Sequence, residues 1–128
     1  MNQSNHKTIL IVEDERSLRK ALHDKLLLEG FTVLEATDGE AGLALALSKH
    51  PHLILLDIIM LKMDGLTMLK KLREDDWGKA VPVIMLTNLS DAAKIAESQK
   101  SNVFDYLVKT DWSLEYVVDK VRQKLNMT

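Results

Sequence analysis

The chain has 128 residues, 46% hydrophobic and 28% charged, with a net charge of -2 and no cysteine. That length suits one domain that buries about two thirds of its unfolded surface without a disulfide or a cysteine-bound zinc. The charge leaves no footprint for nucleic acid or an anionic membrane, no apolar stretch is long enough for a membrane span, and the polar start shows no signal peptide. A cytoplasmic protein with no direct nucleic-acid contact and no membrane contact is therefore expected.

Residues 1–6 read as a loose tail, and 7–128 as a single domain with no output domain behind it. Residues 8–12 are apolar on both faces, as in a buried parallel strand. Over 15–29 the period changes: Leu18, Ala21, Leu22 and Leu26 form a helical stripe, and Gly30 sits where a C′ glycine ends a helix. Phe31 to Ala36 reads as a second strand. Asp38 caps a helix to about Ser48, with either Ala41, Leu45 and Ser48 or Ala44 and Leu47 inward; Pro51 cannot continue it. Residues 53–57 form a central third strand, followed by a helix carrying Leu66, Leu69 and Leu72. Pro82 opens the fourth strand. Ser90 is placed to cap a helix to about Gln99, Phe104 to Val108 is the fifth strand, and Leu114, Val117, Val118, Val121 and Leu125 stripe the last helix.

Strand then helix, five times over, implies a parallel sheet with helices on both faces, joined by right-handed crossovers. The expected fold is flavodoxin-like, (βα)5, with strand order 2-1-3-4-5. Such sheets bind ligands beyond the strand carboxyl ends, where the strand order switches. Chemistry-bearing residues stand at those ends: Glu13 and Asp14 after strand 1, Asp57 ending strand 3, Thr87 strand 4 and Lys109 after strand 5. Three converging carboxylates favour a hard divalent cation, Mg²⁺ or Mn²⁺, over zinc. Thr87 and Lys109 supply a hydroxyl and an amine for phosphoryl oxygens, and a carboxylate beside Mg²⁺ can be a nucleophile. Singly, each residue has a plainer reading: acids at a helix start, a turn aspartate, a strand threonine, a surface lysine. Their joint placement at strand ends is what speaks against it.

Val12-Glu13-Asp14-Glu15, Leu56-Asp57-Ile58-Ile59-Met60-Leu61-Lys62-Met63-Asp64-Gly65, Val83-Ile84-Met85-Leu86-Thr87 and Asp105-Tyr106-Leu107-Val108-Lys109 together resemble the response-regulator receiver domain of two-component signalling, over about residues 7–126. The resemblance implies that Asp57 accepts a phosphoryl group from a sensor histidine kinase or a phosphotransfer protein. It implies Mg²⁺ on Asp14, Asp57 and the Ile59 backbone carbonyl, with Glu13 acting through water. Lys109 would pair with Asp57 and then the phosphate, Thr87 would move to the phosphoryl group, and Tyr106 would follow as the second switch residue. The surface of helix 4, strand 5 and helix 5 would then change its affinity for a downstream protein, as a monomer or a phosphorylation-dependent dimer. Such a protein is a signalling switch that catalyses only its own phosphorylation and dephosphorylation.

The chain departs from the family pattern in four places. Leu61 stands where proline is frequent, and Thr110 where a cis proline is usual. A cis bond before threonine costs about 2.5–4 kcal/mol, so Lys109–Thr110 is expected to be trans, or cis with strain. Ser101-Asn102 replaces a frequent Gly-Ala, which points to a left-handed Asn102. Asn88 stands where a small residue is usual. Ile59 and Leu89 are apolar and cannot orient a water, which implies slow hydrolysis of the aspartyl phosphate. Competing readings are a receiver-like module that works without phosphorylation and a Mg²⁺-dependent aspartyl-phosphate phosphatase. The phosphatase needs an acid where Ile59 stands. The histidines at 50 and 52 read as a loop after helix 2.

Overall fold

In a computed structural model, residues 6–60, 62–88, 92–109 and 113–125 are described. The elements are β1 (Thr8–Val12), α1 (Arg16–Leu28), β2 (Thr32–Ala36), α2 (Gly39–Lys49), β3 (Leu53–Asp57), α3 (Gly65–Arg73), β4 (Val83–Thr87), α4 (Ala92–Ser98), β5 (Asp105–Val108) and α5 (Leu114–Lys124). A 3-10 turn, Gln99–Ser101, follows α4. The sheet order is β2-β1-β3-β4-β5, with every neighbouring pair parallel. This is the flavodoxin-like arrangement expected from the alternation of periods.

Alternate residues of each strand serve opposite faces, and this divides the core in two. Leu10, Val12, Ile54, Leu56, Val83 and Met85 pack with Ala46 of α2 and Met68, Leu69 and Leu72 of α3. Ile9, Ile11, Leu53, Leu55, Ile84 and Leu86 pack with Leu22 and Leu26 of α1 and Val117, Val118 and Val121 of α5. Each of these side chains except Ala46 is worth roughly 1.5–3 kcal/mol relative to exposure. The all-apolar strands of the sequence are thus strands covered on both sides.

The helix ends follow the chain's capping residues. Asp38, Asp64 and Ser113 accept the N–H groups of Ala41, Thr67 and Tyr116. Gly30 ends α1 at φ 97°, a conformation glycine adopts without a Cβ penalty. Asn102 is left-handed, φ 59°, as its side chain permits.

Neither inward face expected for α2 is correct. Gly42 and Ala46 are buried, while Ala41, Ala44, Leu47 and Ser48 are exposed. The reason is close approach: a Cβ at Gly42 would lie 2.8 Å from Val12 Cγ1. The helix rides on its smallest residues, and the partly buried Leu43 and Leu45 flank the contact. The expectations for the Lys109–Thr110 peptide, Leu61, Leu89, the Ser90 cap and residues 1–5 lie outside the described residues.

Candidate functional site

The parallel register brings the strand carboxyl ends together. Val12 pairs with Leu56, Asp57 with Leu86 and Thr87 with Val108. The ladder then runs on by a residue: the Glu13 N–H donates to the Ala36 carbonyl (3.1 Å), the Ile58 N–H to Leu86 (3.1 Å) and the Lys109 N–H to Thr87 (2.7 Å). Backbone hydrogen bonds therefore hold the residues that carry the candidate site. Glu13, Asp57 and Thr87 are buried, at 0%, 3% and 0% exposure, while Asp14 is exposed at the rim.

Lys109 reaches back over the edge. Its Nζ lies 3.0 Å from Asp57 Oδ1 and 3.1 Å from Glu13 Oε1, although that Glu13 oxygen has no aligned hydrogen-bond donor among the described residues. Glu13 Oε2 accepts the Glu15 N–H (2.9 Å), which gives the start of α1 an acceptor that Glu15 itself does not supply. Asp57 Oδ1 also accepts the Ile59 N–H, at 3.4 Å. Past Asp57 the chain turns sharply: the Gly65 N–H donates to the Ile58 carbonyl (2.8 Å). A Cβ at Gly65 would lie 2.1 Å from the Asp57 carbonyl oxygen, so only glycine fits there.

One amine faces two buried carboxylates, Glu13 and Asp57, and burial resists their charge. It pushes the Glu13 carboxyl up to about 7, against the Glu15 N–H and with the help of the Asp57 charge. Burial also raises Asp57, opposed by the hydrogen bond and charge of Lys109. For Lys109 burial acts downward, but Asp57 and Glu13 together outweigh it, and its pKa is raised. Carboxylate oxygens of Glu13, Asp14 and Asp57 lie within 4.8 Å of one another. An oxygen-only cluster with excess negative charge fits a hard divalent cation. The Thr87 hydroxyl is buried with no hydrogen-bond partner among the described residues. An orphaned buried donor costs free energy, and here it stands at the same edge as the acids.

The sequence-predicted residues Glu13, Asp14, Asp57, Thr87 and Lys109 all come to this edge. Ile59 is half exposed beside Asp57. Tyr106 stands apart: its hydroxyl hydrogen-bonds Ser98 Oγ (2.7 Å) and donates to the Ile95 carbonyl (3.4 Å), both on α4. Sequence reasoning missed Ser98, which is 1% exposed, and Arg19, whose guanidinium donates to the Glu13 carbonyl (3.0 Å). The available signal for Arg19 was its place beside the Leu18, Leu22 and Leu26 stripe, one turn past the acid pair.

A family model for the response regulator receiver domain matches residues 9–122. The chain is 36% identical over 124 residues to a probable transcriptional regulator ycf27 of Cyanophora paradoxa, covering 97% of this chain and 50% of that protein. It is 35% identical to the DNA-binding dual master transcriptional regulator RpaA of a Synechocystis species, covering 94% of this chain and 49% of that protein. The structure is similar to a CheY-like receiver domain protein from Methanospirillum hungatei, with a TM-score of 0.87, 25% identity, and 95% of both chains covered. The chain thus spans about half the length of the curated relatives it matches. These relatives overturn the expectation of no direct nucleic-acid contact. The net charge of -2 describes this domain alone and carries no information about what the other half of such a protein touches. Among the described residues, no helix is long and apolar enough to cross a membrane.

Proposed function

The chain belongs to the response regulator receiver domain family, and on that premise we propose that its Asp57 carboxylate is the phosphoacceptor of a phosphorylation-activated switch. The observation that carries this reading is the buried Asp57, 3.0 Å from Lys109 and clustered with Glu13 and Asp14. The donor is the phosphohistidine of a sensor kinase, which places the reaction in the cytoplasm. An Asp57 oxygen forms the new bond to phosphorus, the histidine N–P bond breaks, and the leaving imidazole takes a proton from solvent. Asp14, Asp57 and the Ile59 carbonyl would hold Mg²⁺, with Glu13 assisting through water; the bound cation would neutralise phosphoryl charge that the bare acids repel.

The protein's own groups do the remaining work. Lys109 already faces Asp57 and moves its hydrogen bonds to the phosphoryl oxygens. The Thr87 hydroxyl, without a hydrogen-bond partner among the described residues, gains an acceptor there. Drawing Thr87 toward the phosphoryl group opens space toward Tyr106 of β5, and the tyrosine follows. The face formed by α4, β5 and α5 then changes shape, and a downstream partner reads that face. The chain turns over no separate substrate. The apolar, half-exposed Ile59 cannot orient a water, which favours a long-lived phosphate. Amide NMR with fluoroberyllate and Mg²⁺ tests the reading: shifts at Thr87, Tyr106 and α4 that vanish in Asp57→Asn support it. Wild-type spectra unchanged by the mimic would refute it.

A further inference from the structure

The turn carrying Glu13 and Asp14 is held from outside the acid cluster. Arg19 projects from α1 with its side chain 17% exposed. Its Nη1 donates to the Glu13 carbonyl at 3.0 Å, and its Nε to Glu35 Oε1 at 3.0 Å. Glu35 lies on β2 next to Ala36, whose carbonyl accepts the Glu13 N–H at 3.1 Å. Both sides of Glu13 are therefore tied to the same strand, one directly and one through the guanidinium. The carbonyl that Arg19 grips belongs to the peptide joining Glu13 to Asp14. Asp14 is exposed, so its backbone rather than packing sets where its carboxylate points.

We propose that Arg19, anchored on Glu35, is a positioning residue that orients the Glu13–Asp14 turn for divalent-cation binding. The proposal rests on the metal-dependent reading of the site given above. A planar guanidinium spans both acceptors with fixed geometry, whereas a lysine ammonium cannot. Groups that orient ligands from behind change metal affinity by about 10- to 100-fold. Field and positioning predict different signs. Removing a cation near three acids strengthens Mg²⁺ binding if only charge matters; it weakens binding if Arg19 orients the turn. The fold tolerates the change, because Arg19 and Glu35 line an open cleft of about 280 Å³ with Arg16, Lys20, His23 and Asp24. A truncated side chain leaves Glu35 facing water rather than buried alone.

Isothermal titration of Mg²⁺ into the wild type, Arg19→Gln and Arg19→Lys, each with its thermal unfolding midpoint, is the test. The expected result is binding weaker by on the order of tenfold in both variants, although Lys keeps the charge. Tighter binding in Arg19→Gln with wild-type affinity in Arg19→Lys would overturn the proposal in favour of a field effect. Unchanged affinity in both would overturn it outright. Absence of Mg²⁺ binding by the wild type would instead refute the metal-site reading on which the proposal rests.

Discussion

Thr87→Val separates the stability of the resting protein from its function. The two side chains have nearly the same shape, and the substitution deletes a buried hydroxyl with no partner among the described residues. Such an orphan costs about 1–3 kcal/mol in the folded state. Valine at a fully buried strand end also suits β propensity. The variant is expected to be more stable by about 1 kcal/mol, raising the melting temperature by roughly 3–5 °C for a domain of this size. The phosphoryl group loses the hydroxyl's hydrogen bond, and bonds to charged groups are worth about 1.5–3 kcal/mol. Fluoroberyllate binding in Mg²⁺ should therefore weaken roughly 10- to 100-fold. Urea unfolding and a fluoroberyllate titration by NMR give the two numbers. A variant less stable than the wild type, with unchanged fluoroberyllate affinity, would refute the reasoning.

Gly65→Ala forces a Cβ against the Asp57 carbonyl oxygen and the Ile58 Cα, 2.1 and 2.9 Å away, backbone atoms that cannot swing aside. Overpacking of this kind costs about 1–3 kcal/mol, and an unshifted urea midpoint would contradict it. Ser98→Ala removes the 2.7 Å hydrogen bond to Tyr106. The resting state should lose about 0.5–1.5 kcal/mol, and fluoroberyllate should bind about two- to tenfold more tightly because the tyrosine is freed to move; unaltered affinity would show that the bond does not oppose the switch. For pH, the Glu13 carboxyl at about 7, against its ordinary 4.5, means that the folded metal-free protein holds a proton the unfolded chain releases. Its metal-free stability falls as pH rises through that window, and Mg²⁺ affinity climbs over the same range as the proton is expelled. Mg²⁺ titrations at several pH values should show this rise flattening above about pH 7, whereas affinity constant from about pH 5 to 8 would contradict it.

The sheet was legible because its strands are short apolar runs on both faces, and the polar residues ending them pointed to the candidate site. Asp57, Thr87 and Lys109 needed only the parallel topology to meet. Helix faces were less legible where size rather than polarity decides packing. In α2 the leucines suggested the inward face, but Gly42 and Ala46 allow the helix to approach β1, and hydrophobicity does not report approach distance. Contacts between distant polar residues left no periodic trace at all. Arg73 donates to the carbonyls of Ser101, Gly78, Val81 and Asn102, and the His50 ring stacks on Trp77 at 4.2 Å. Both join loops whose meeting is set by the finished fold. Ser98 and Arg19 belong to the same class: each acts through a hydrogen bond to a partner that only tertiary structure brings near.

The central claim is that Asp57 takes up a phosphoryl group in the crevice built by Glu13, Asp14, Thr87 and Lys109. Intact-mass spectrometry after incubation with acetyl phosphate and Mg²⁺, followed by peptide mapping, tests it most directly. The expected result is a single phosphoryl group on Asp57, dependent on Mg²⁺ and absent from Asp57→Asn. An unmodified wild type, or an Asp57→Asn variant modified to the same extent, would contradict the claim.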